Sequence, residues 1–194
     1  MLADPILVMA QVARALEEIG IPYLVGGSLA SSRYGFPRTT QDADLVVDLR
    51  EEQVGSLVRA LRNEFYIDAG MICEAIRHRA SFNVIHLQAA YKVDLFLLKA
   101  DTWAQQEMAR RRAERIGPEG PVTLYFCSPE DIILHKLDWY RQGGGVSDRQ
   151  WSDVLGVLKI QASELEAAYL WHWASELGLA DLLERALREA GVTL

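Results

Sequence analysis

A short apolar strand that runs directly into a glycine pair is the feature that most constrains the fold. Pro22-Tyr-Leu-Val is a strand candidate, and Gly26-Gly27 follows it without a spacer. Small and apolar residues from Ser28 to Tyr34 then favour a short helix, which Gly35 ends. Glycines at such a junction let the backbone turn tightly and approach a ligand closely. The segment therefore predicts a strand, a tight turn and a helix in succession.

Strand and helix patterns alternate as far as Cys127, and only helix patterns follow. The strand candidates are Pro22–Val25, Asp44–Val47, Phe65–Ile67, Phe82–Leu87, Tyr91–Leu98 and Val122–Phe126. Helix patterns cover 6–19, 28–34, 51–64 (begun by a cap at Asp48), 71–78, a basic segment from the Asp101 cap through Arg115, 131–141 (begun by a cap at Ser128), segments opened by Ser147 and Ser163, and 180–190. Residues 117–121 read as a turn. We expect an α/β (α+β) fold, with a mixed sheet flanked by helices over 1–127 and a helical part over 128–194 packed on it.

Composition excludes several classes of protein. A formal net charge of −7 argues against non-specific binding of nucleic acid over the whole surface. No apolar run approaches the roughly 20 residues of a membrane-spanning helix, and the acid-bearing first twenty residues do not resemble a signal peptide. Cys73 and Cys127 have no metal-ligand spacing, so they indicate small buried side chains in a reducing compartment, by default the cytoplasm.

Three aspartates indicate a magnesium site. Asp42 and Asp44 are separated by one residue, so on an extended backbone their carboxylates project from the same face and repel each other unless a cation lies between them. Asp94 interrupts an otherwise apolar strand, where an unpaired buried charge would be costly. Oxygen-only ligands of this kind suit Mg²⁺. If the two strands are neighbours, the three acids are enough to hold two metal ions.

The glycine pair supplies a candidate phosphate site. A helix that begins at Ser28 would direct free backbone N–H groups and its positive dipole end towards an anion. The Ser28 hydroxyl can add a further donor. A glycine pair with a serine is common in turns, and its position ahead of an arginine and the two aspartates makes it more specific.

Four blocks in order resemble the nucleotidyltransferase superfamily with the DNA polymerase β-like palm. They are G-G-S at 26–28, R-T-T-Q-D-A-D at 38–44, V-D at 93–94, and a helix ending in Lys136 followed by Arg149-Gln-Trp-Ser-Asp153. The chain looks most similar to the minimal bacterial members, including the AbiE-type toxin nucleotidyltransferases. The resemblance extends over about residues 20 to 155.

The resemblance implies a role for each matching residue. Asp42, Asp44 and Asp94 would be the catalytic acids and the metal ligands, with Asp94 also acting as general base towards the acceptor hydroxyl. The implied nucleotide-binding residues are Gly27, Ser28, Arg38, Lys136, Arg149 and Asp153. Two of these carry a local alternative, because Arg149 and Asp153 have the i, i+4 spacing of a helix-surface ion pair.

The expected activity is Mg²⁺-dependent transfer of a nucleoside monophosphate from a nucleoside triphosphate to an acceptor hydroxyl. RNA, including tRNA, or a protein is the first expectation for the acceptor, and this expectation includes a role as the toxin of a toxin–antitoxin pair that binds an antitoxin protein. One alternative is a small-molecule acceptor such as an antibiotic, and another is a catalytically silent relative that binds a nucleotide or a partner. A basic channel beside Asp94 would favour RNA, and the arginines at 110–112 and 115, together with Arg77-His-Arg79, could form such a groove.

Overall fold

The computed structural model describes residues 5–40, 42–116 and 122–194, and in them the chain forms the expected mixed α/β fold. The strands are β1 Tyr23–Val25, β2 Asp42–Val47, β3 Phe65–Tyr66, β4 Ser81–His86, β5 Lys92–Leu97, β6 Arg112–Ile116 and β7 Val122–Phe126. The helices are α1 Pro5–Ile19, α2 Gly27–Tyr34, α3 Val54–Leu61, α4 Ala69–His78, α5 Thr102–Arg110, α6 Pro129–Gln142, α7 Asp148–Gln161, α8 Ala167–Glu176 and α9 Ala180–Ala190. A 3₁₀ turn, Glu51–Gln53, precedes α3. Gln41 and the turn predicted at 117–121 lie outside the described residues.

The chain divides into two compact units. The sheet unit comprises residues 1–26 and 40–126, and the helical unit comprises 27–39 and 127–194. Residues 27–39 thus group with the C-terminal helices, although they follow β1 in sequence. The division into folding domains at residue 127 stays a prediction, because a compact unit need not fold alone.

The described strands of the sheet unit form one seven-stranded sheet in the order β3-β4-β5-β2-β1-β7-β6. β2 and β5 are parallel, as are β1 and β7, and the remaining pairs are antiparallel. Alternate residues of the two central strands are fully buried on one face, namely Ala43, Leu45, Val47, Val93 and Leu95. Helix α1 contacts β2 and α4 contacts β4. The alternation fixes the register, because a slip of one residue would turn the apolar side chains outwards.

Helices α6 and α7 form the centre of the helical unit. Helix α2 packs against both of them, α8 packs on α6, and α9 packs on α7. The Ser128 hydroxyl accepts a hydrogen bond from the Asp131 amide at 3.1 Å, which caps α6 as the sequence predicts. Ile132, Ile133 and Leu137 then turn fully buried side chains into the unit.

Three local predictions are wrong, and one of them is the helix start at Ser163, because the N-cap position of α8 falls on Glu166. The basic segment expected to be helical through Arg115 leaves the helix at Arg111 and forms β6, because pairing with β7 outweighs the helix propensity of its residues. Asp48 is not the cap expected for the following helix. The N-cap position falls on Arg50, whose backbone N–H donates to the Gln53 side chain at 3.0 Å.

Among the described helices, none is both long and apolar enough to cross a membrane.

Two glycines allow α2 and α7 to approach closely. A Cβ atom at Gly35 would lie 2.9 Å from the Ser31 carbonyl oxygen and 2.9 Å from the Val157 amide nitrogen. A Cβ atom at Gly156 would lie 3.0 Å from the Phe36 ring. Since the neighbours of Gly35 are backbone atoms, they cannot move aside by a change of rotamer.

We therefore expect Gly35→Ala to destabilise the protein by about 1–3 kcal/mol, the usual penalty of an overpacked contact. Urea denaturation followed by circular dichroism measures the change. Gly55→Ala is the control, since its Cβ would meet only the end of the flexible Arg59 side chain, at 3.4 Å. An unchanged unfolding midpoint for Gly35→Ala would contradict the close approach.

Candidate functional site

The three predicted acids lie on one face of the central sheet. Asp44 of β2 is directly opposite Asp94 of β5, and Asp42 is opposite Lys92. All four side chains are half-buried, on the face opposite the apolar core. Adjacent strands are roughly 4.8 Å apart, so the Asp44 and Asp94 carboxylates are close neighbours. The geometry thus brings together the two sequence blocks that carry the acids.

Lys92 supplies the positive charge at these acids, and the sequence analysis did not identify it. Its ammonium forms an ion pair with Asp94. The hydrogen bond that Lys92 donates to Asp94 is the main cause that raises the pKa of Lys92, and the charges of Asp42 and Asp44 add to it. A basic residue at i−2 from an acid on a strand shares its face, and this spacing could have indicated the pair.

Asn83 extends the row of polar side chains across a third strand. It lies opposite Asp94 on β4, is half-buried, and follows the same alternation. The row therefore reads carboxylate, carboxylate, amide across β2, β5 and β4. Among the described residues, no group of three or more His, Cys, Asp or Glu side chains is already arranged around a metal position. The Asp94 carboxylate is instead held by Lys92.

The start of α2 belongs to the helical unit. Gly27 has a φ of +56°, a left-handed conformation that favours glycine, and it is the first residue of the helix. Ser28 is 6% exposed, and its hydroxyl oxygen accepts a short hydrogen bond from the Arg38 guanidinium. The predicted phosphate segment is thus bonded to one of the predicted cations.

Asp153 binds two cations of the helical unit, Arg38 and Lys136. Arg38 donates to it from two nitrogens, each at 3.1 Å, and the Lys136 ammonium lies 2.8 Å away. The Ser31 hydroxyl donates to the same carboxylate at 3.1 Å. Lys136 is 2% exposed and the Asp153 side chain 8%, so this is a buried ion group. We call Arg38, Lys136 and Asp153 the ion triad.

The pKa shifts in the triad follow from burial and from the two opposite charges. Burial lowers the pKa of Lys136, although the bond to Asp153 acts in the opposite direction. Burial alone would raise the pKa of Asp153, but hydrogen bonds from Arg38 and Lys136 outweigh it and hold that pKa below its ordinary value. The carboxylate is therefore ionised near neutral pH.

Arg149 lies four residues before Asp153 but is not part of the ion triad. It is exposed on α7, while Asp153, one turn further along, binds the two triad cations. The charge of Arg149 contributes to the lowered pKa of Lys136. Asp153 thus holds two cations in place. Its own negative charge makes it unsuited to direct contact with a phosphate group.

No protein-family model matches this sequence, and comparison with curated proteins finds no match. Solved structures do match. An antigenic nucleotidyltransferase-like protein from Paracoccidioides brasiliensis aligns with a TM-score of 0.57 and 18% identity, over 95% of this chain and 90% of that one. The antibiotic-resistance factor ANT(2'')-Ia aligns at 0.55 and 14%, over 93% and 91%. Its structure in complex with adenylyl-2''-tobramycin aligns at 0.52 and 16%, over 93% and 97%. Likeness at such low identity establishes a shared fold and leaves the reaction to the residues.

We expect Asp153→Asn to destabilise the protein by about 3 kcal/mol near neutral pH, because two cations, one of them buried, lose their anion. Since folding lowers the pKa of Asp153, this stabilisation is fully present above the pKa of an unfolded aspartate, about 4. It is lost as the pH falls through the lower pKa of the folded state. The difference from wild type in urea denaturation should therefore shrink below about pH 4.

Asp138→Asn is the matched control on α6. Asp138 is half-buried and forms an i, i+3 pair with the exposed Arg141, so its loss should cost less than about 1 kcal/mol. Equal effects of the two substitutions at neutral pH would mean that the triad does not stabilise the helical unit.

Proposed function

We propose that this chain, which has the nucleotidyltransferase fold, transfers a nucleoside monophosphate from a nucleoside triphosphate to an acceptor hydroxyl with the help of Mg²⁺. The observation that supports the proposal most directly is the register of β2 and β5. It sets Asp44 beside Asp94 on a half-buried sheet face, with Asp42 on the same face. Acids in this arrangement are costly for stability and suited to cation binding.

Asp42, Asp44 and Asp94 would hold Mg²⁺. All of the donor atoms are carboxylate oxygens, which this ion prefers, and Lys92 already holds a positive charge against them. Bound there, the metal would supply charge stabilisation at the reacting phosphorus and orient the triphosphate. Lys92 would leave Asp94 as the metal enters, since both compete for the same carboxylate.

In the helical unit we assign the triphosphate to Arg38, Lys136, Ser28 and the backbone N–H groups that begin at Gly27. A guanidinium, an ammonium and a helix N-terminus each favour phosphate oxygens. Asp153 acts as a positioning residue for Arg38 and Lys136. Arg149 is exposed and would add charge at the periphery.

The transfer needs one proton acceptor. As the acceptor oxygen bonds to the α-phosphorus, the bond from that phosphorus to the bridging oxygen breaks and pyrophosphate leaves. Asp94 would take the proton of the acceptor hydroxyl, and Asn83, opposite it on β4, can hold its carboxylate in orientation. Positioning and charge stabilisation supply most of the catalysis in reactions of this kind.

RNA or a protein remains an acceptor within the proposal, including the role of a toxin held by an antitoxin. A specific observation favours a small molecule as the second candidate. The arginine-bearing strand β6 is separated from β5 by three strands, roughly 19 Å across the sheet, so it does not form a basic channel beside Asp94. The shared fold with ANT(2'')-Ia, whose structure contains adenylyl-2''-tobramycin, supports the same candidate.

Asp44→Asn should lower nucleotide transfer about a hundredfold or more, because it removes a charge that stabilises the reacting phosphate. The assay incubates the protein with each labelled nucleoside triphosphate, Mg²⁺ and one acceptor class at a time: cellular RNA, cellular protein or a panel of aminoglycosides and lincosamides. The class that becomes labelled identifies the acceptor.

Asp48→Asn is the matched control, since this aspartate follows β2 directly and lies at the strand end remote from Asp42. It should transfer nucleotide like wild type. Full activity of Asp44→Asn, with an unchanged circular dichroism spectrum, would overturn the assignment of the acids.

Lys92→Met should tighten Mg²⁺ binding roughly fivefold at low salt, because it removes a cation that competes for Asp94 and attracts two further carboxylates. Isothermal titration calorimetry measures the affinity. Lys99→Met, which removes an exposed lysine beyond the end of β5, should leave it unchanged. Weaker Mg²⁺ binding by Lys92→Met would contradict the competition.

A further inference from the structure

Trp139 on α6 is more exposed than the other four tryptophans. Its side chain is 38% accessible, whereas Trp171 is half-buried and Trp103, Trp151 and Trp173 are each at most 9% accessible. The apolar face of α6 that packs into the helical unit does not include it. An exposed indole stabilises the fold little and carries a large flat surface in contact with water. Packing therefore does not explain why a tryptophan occupies this position.

Two neighbours one helical turn back define the surroundings of the indole. The His135 ring stacks against it, with centroids 5.6 Å apart and planes inclined by 29°. The Lys136 ammonium lies 5.3 Å from the ring centroid. Side chains at i and i+3 or i+4 meet on one face of a helix, which explains why all three converge. We call His135 and Trp139 the aromatic shelf.

The shelf is joined to the ion triad through Lys136. The same ammonium that contacts the indole lies 2.8 Å from Asp153, which in turn binds Arg38. A flat aromatic surface and a pair of phosphate-binding cations thus occupy adjoining positions in one unit. A nucleotide has the same two parts, a flat base and a charged phosphate chain, separated by a ribose.

We propose that the base of the nucleoside triphosphate stacks on Trp139, beside His135, while its phosphates meet Arg38, the partly accessible cation of the triad, and are attracted by the charge of the buried Lys136. The proposal rests on the proposed function and adds the mode of base recognition to it. Stacking tolerates every base, since each has a π face, and it is stronger for the larger purines. The chain should therefore accept all four nucleoside triphosphates and bind ATP and GTP more tightly than CTP and UTP.

The test separates the base from the phosphates by comparing ATP with inorganic tripolyphosphate, which has no base. Calorimetric titration in Mg²⁺ measures both affinities for wild type, Trp139→Leu and Trp139→Phe. We expect Trp139→Leu to bind ATP about tenfold more weakly, the loss of one stacked base, and to bind tripolyphosphate like wild type. Trp139→Phe keeps a ring and should lose less. Tyr66→Leu, at an exposed aromatic residue of β3, is the matched control and should change neither affinity.

The outcomes distinguish this inference from the function on which it rests. If Trp139→Leu binds ATP as tightly as wild type, the base lies elsewhere and the shelf is wrong, while phosphate binding by the triad stands. If Trp139→Leu loses tripolyphosphate and ATP equally, the indole only positions Lys136 and the shelf is again wrong. If wild type binds neither ATP nor tripolyphosphate, the assignment of the phosphates to the triad is wrong, and base stacking on the aromatic shelf is wrong as well. Weaker binding of ATP than of CTP by wild type would also overturn the stacking mode.

Discussion

The helical unit depends on one shared carboxylate. Asp153 on α7 holds Lys136 on α6 and Arg38 on the segment after α2, so three stretches of chain meet at a single charge. A buried ammonium without this partner would be strongly unfavourable, so the carboxylate stabilises the packing of these helices. The same bonds fix the directions of the two cations and leave the guanidinium partly accessible. Stability and the presentation of positive charge therefore arise from one interaction.

The sheet unit meets a comparable constraint through its register. Full burial of alternate residues on β2 and β5 leaves only one face for Asp42, Asp44 and Asp94. Parallel pairing then sets two of these acids side by side, and Lys92 offsets part of their repulsion. Apolar packing on one side of the sheet thus imposes an unfavourable charge arrangement on the other, which a bound cation would relieve.

Local sequence patterns predicted most helices and strands, but they could not show which distant segments each of them contacts. The alternating apolar residues and the Ser128 cap gave β2, β5 and α6 correctly, since these depend on neighbours in sequence. The helix predicted at β6 was wrong for a non-local reason. The residues of β6 suit a helix, and only their pairing with β7 makes the segment a strand. A local pattern also failed to predict the partners of Asp153. Its spacing from Arg149 suggested a local pair, whereas its actual partners come from distant segments.

The charge of the ion triad bears on why the proposed reaction would need metal. Arg38 and Lys136 bring two positive charges and Asp153 cancels one, so the triad offers a single net positive charge to a triphosphate that carries several negative ones. The acids of the sheet unit have the opposite excess, with three carboxylates against the one ammonium of Lys92. Divalent cations bound by the acids would offset the negative excess of the sheet unit, so our proposal assigns the metal to that unit and assigns orienting and charge pairing to the triad.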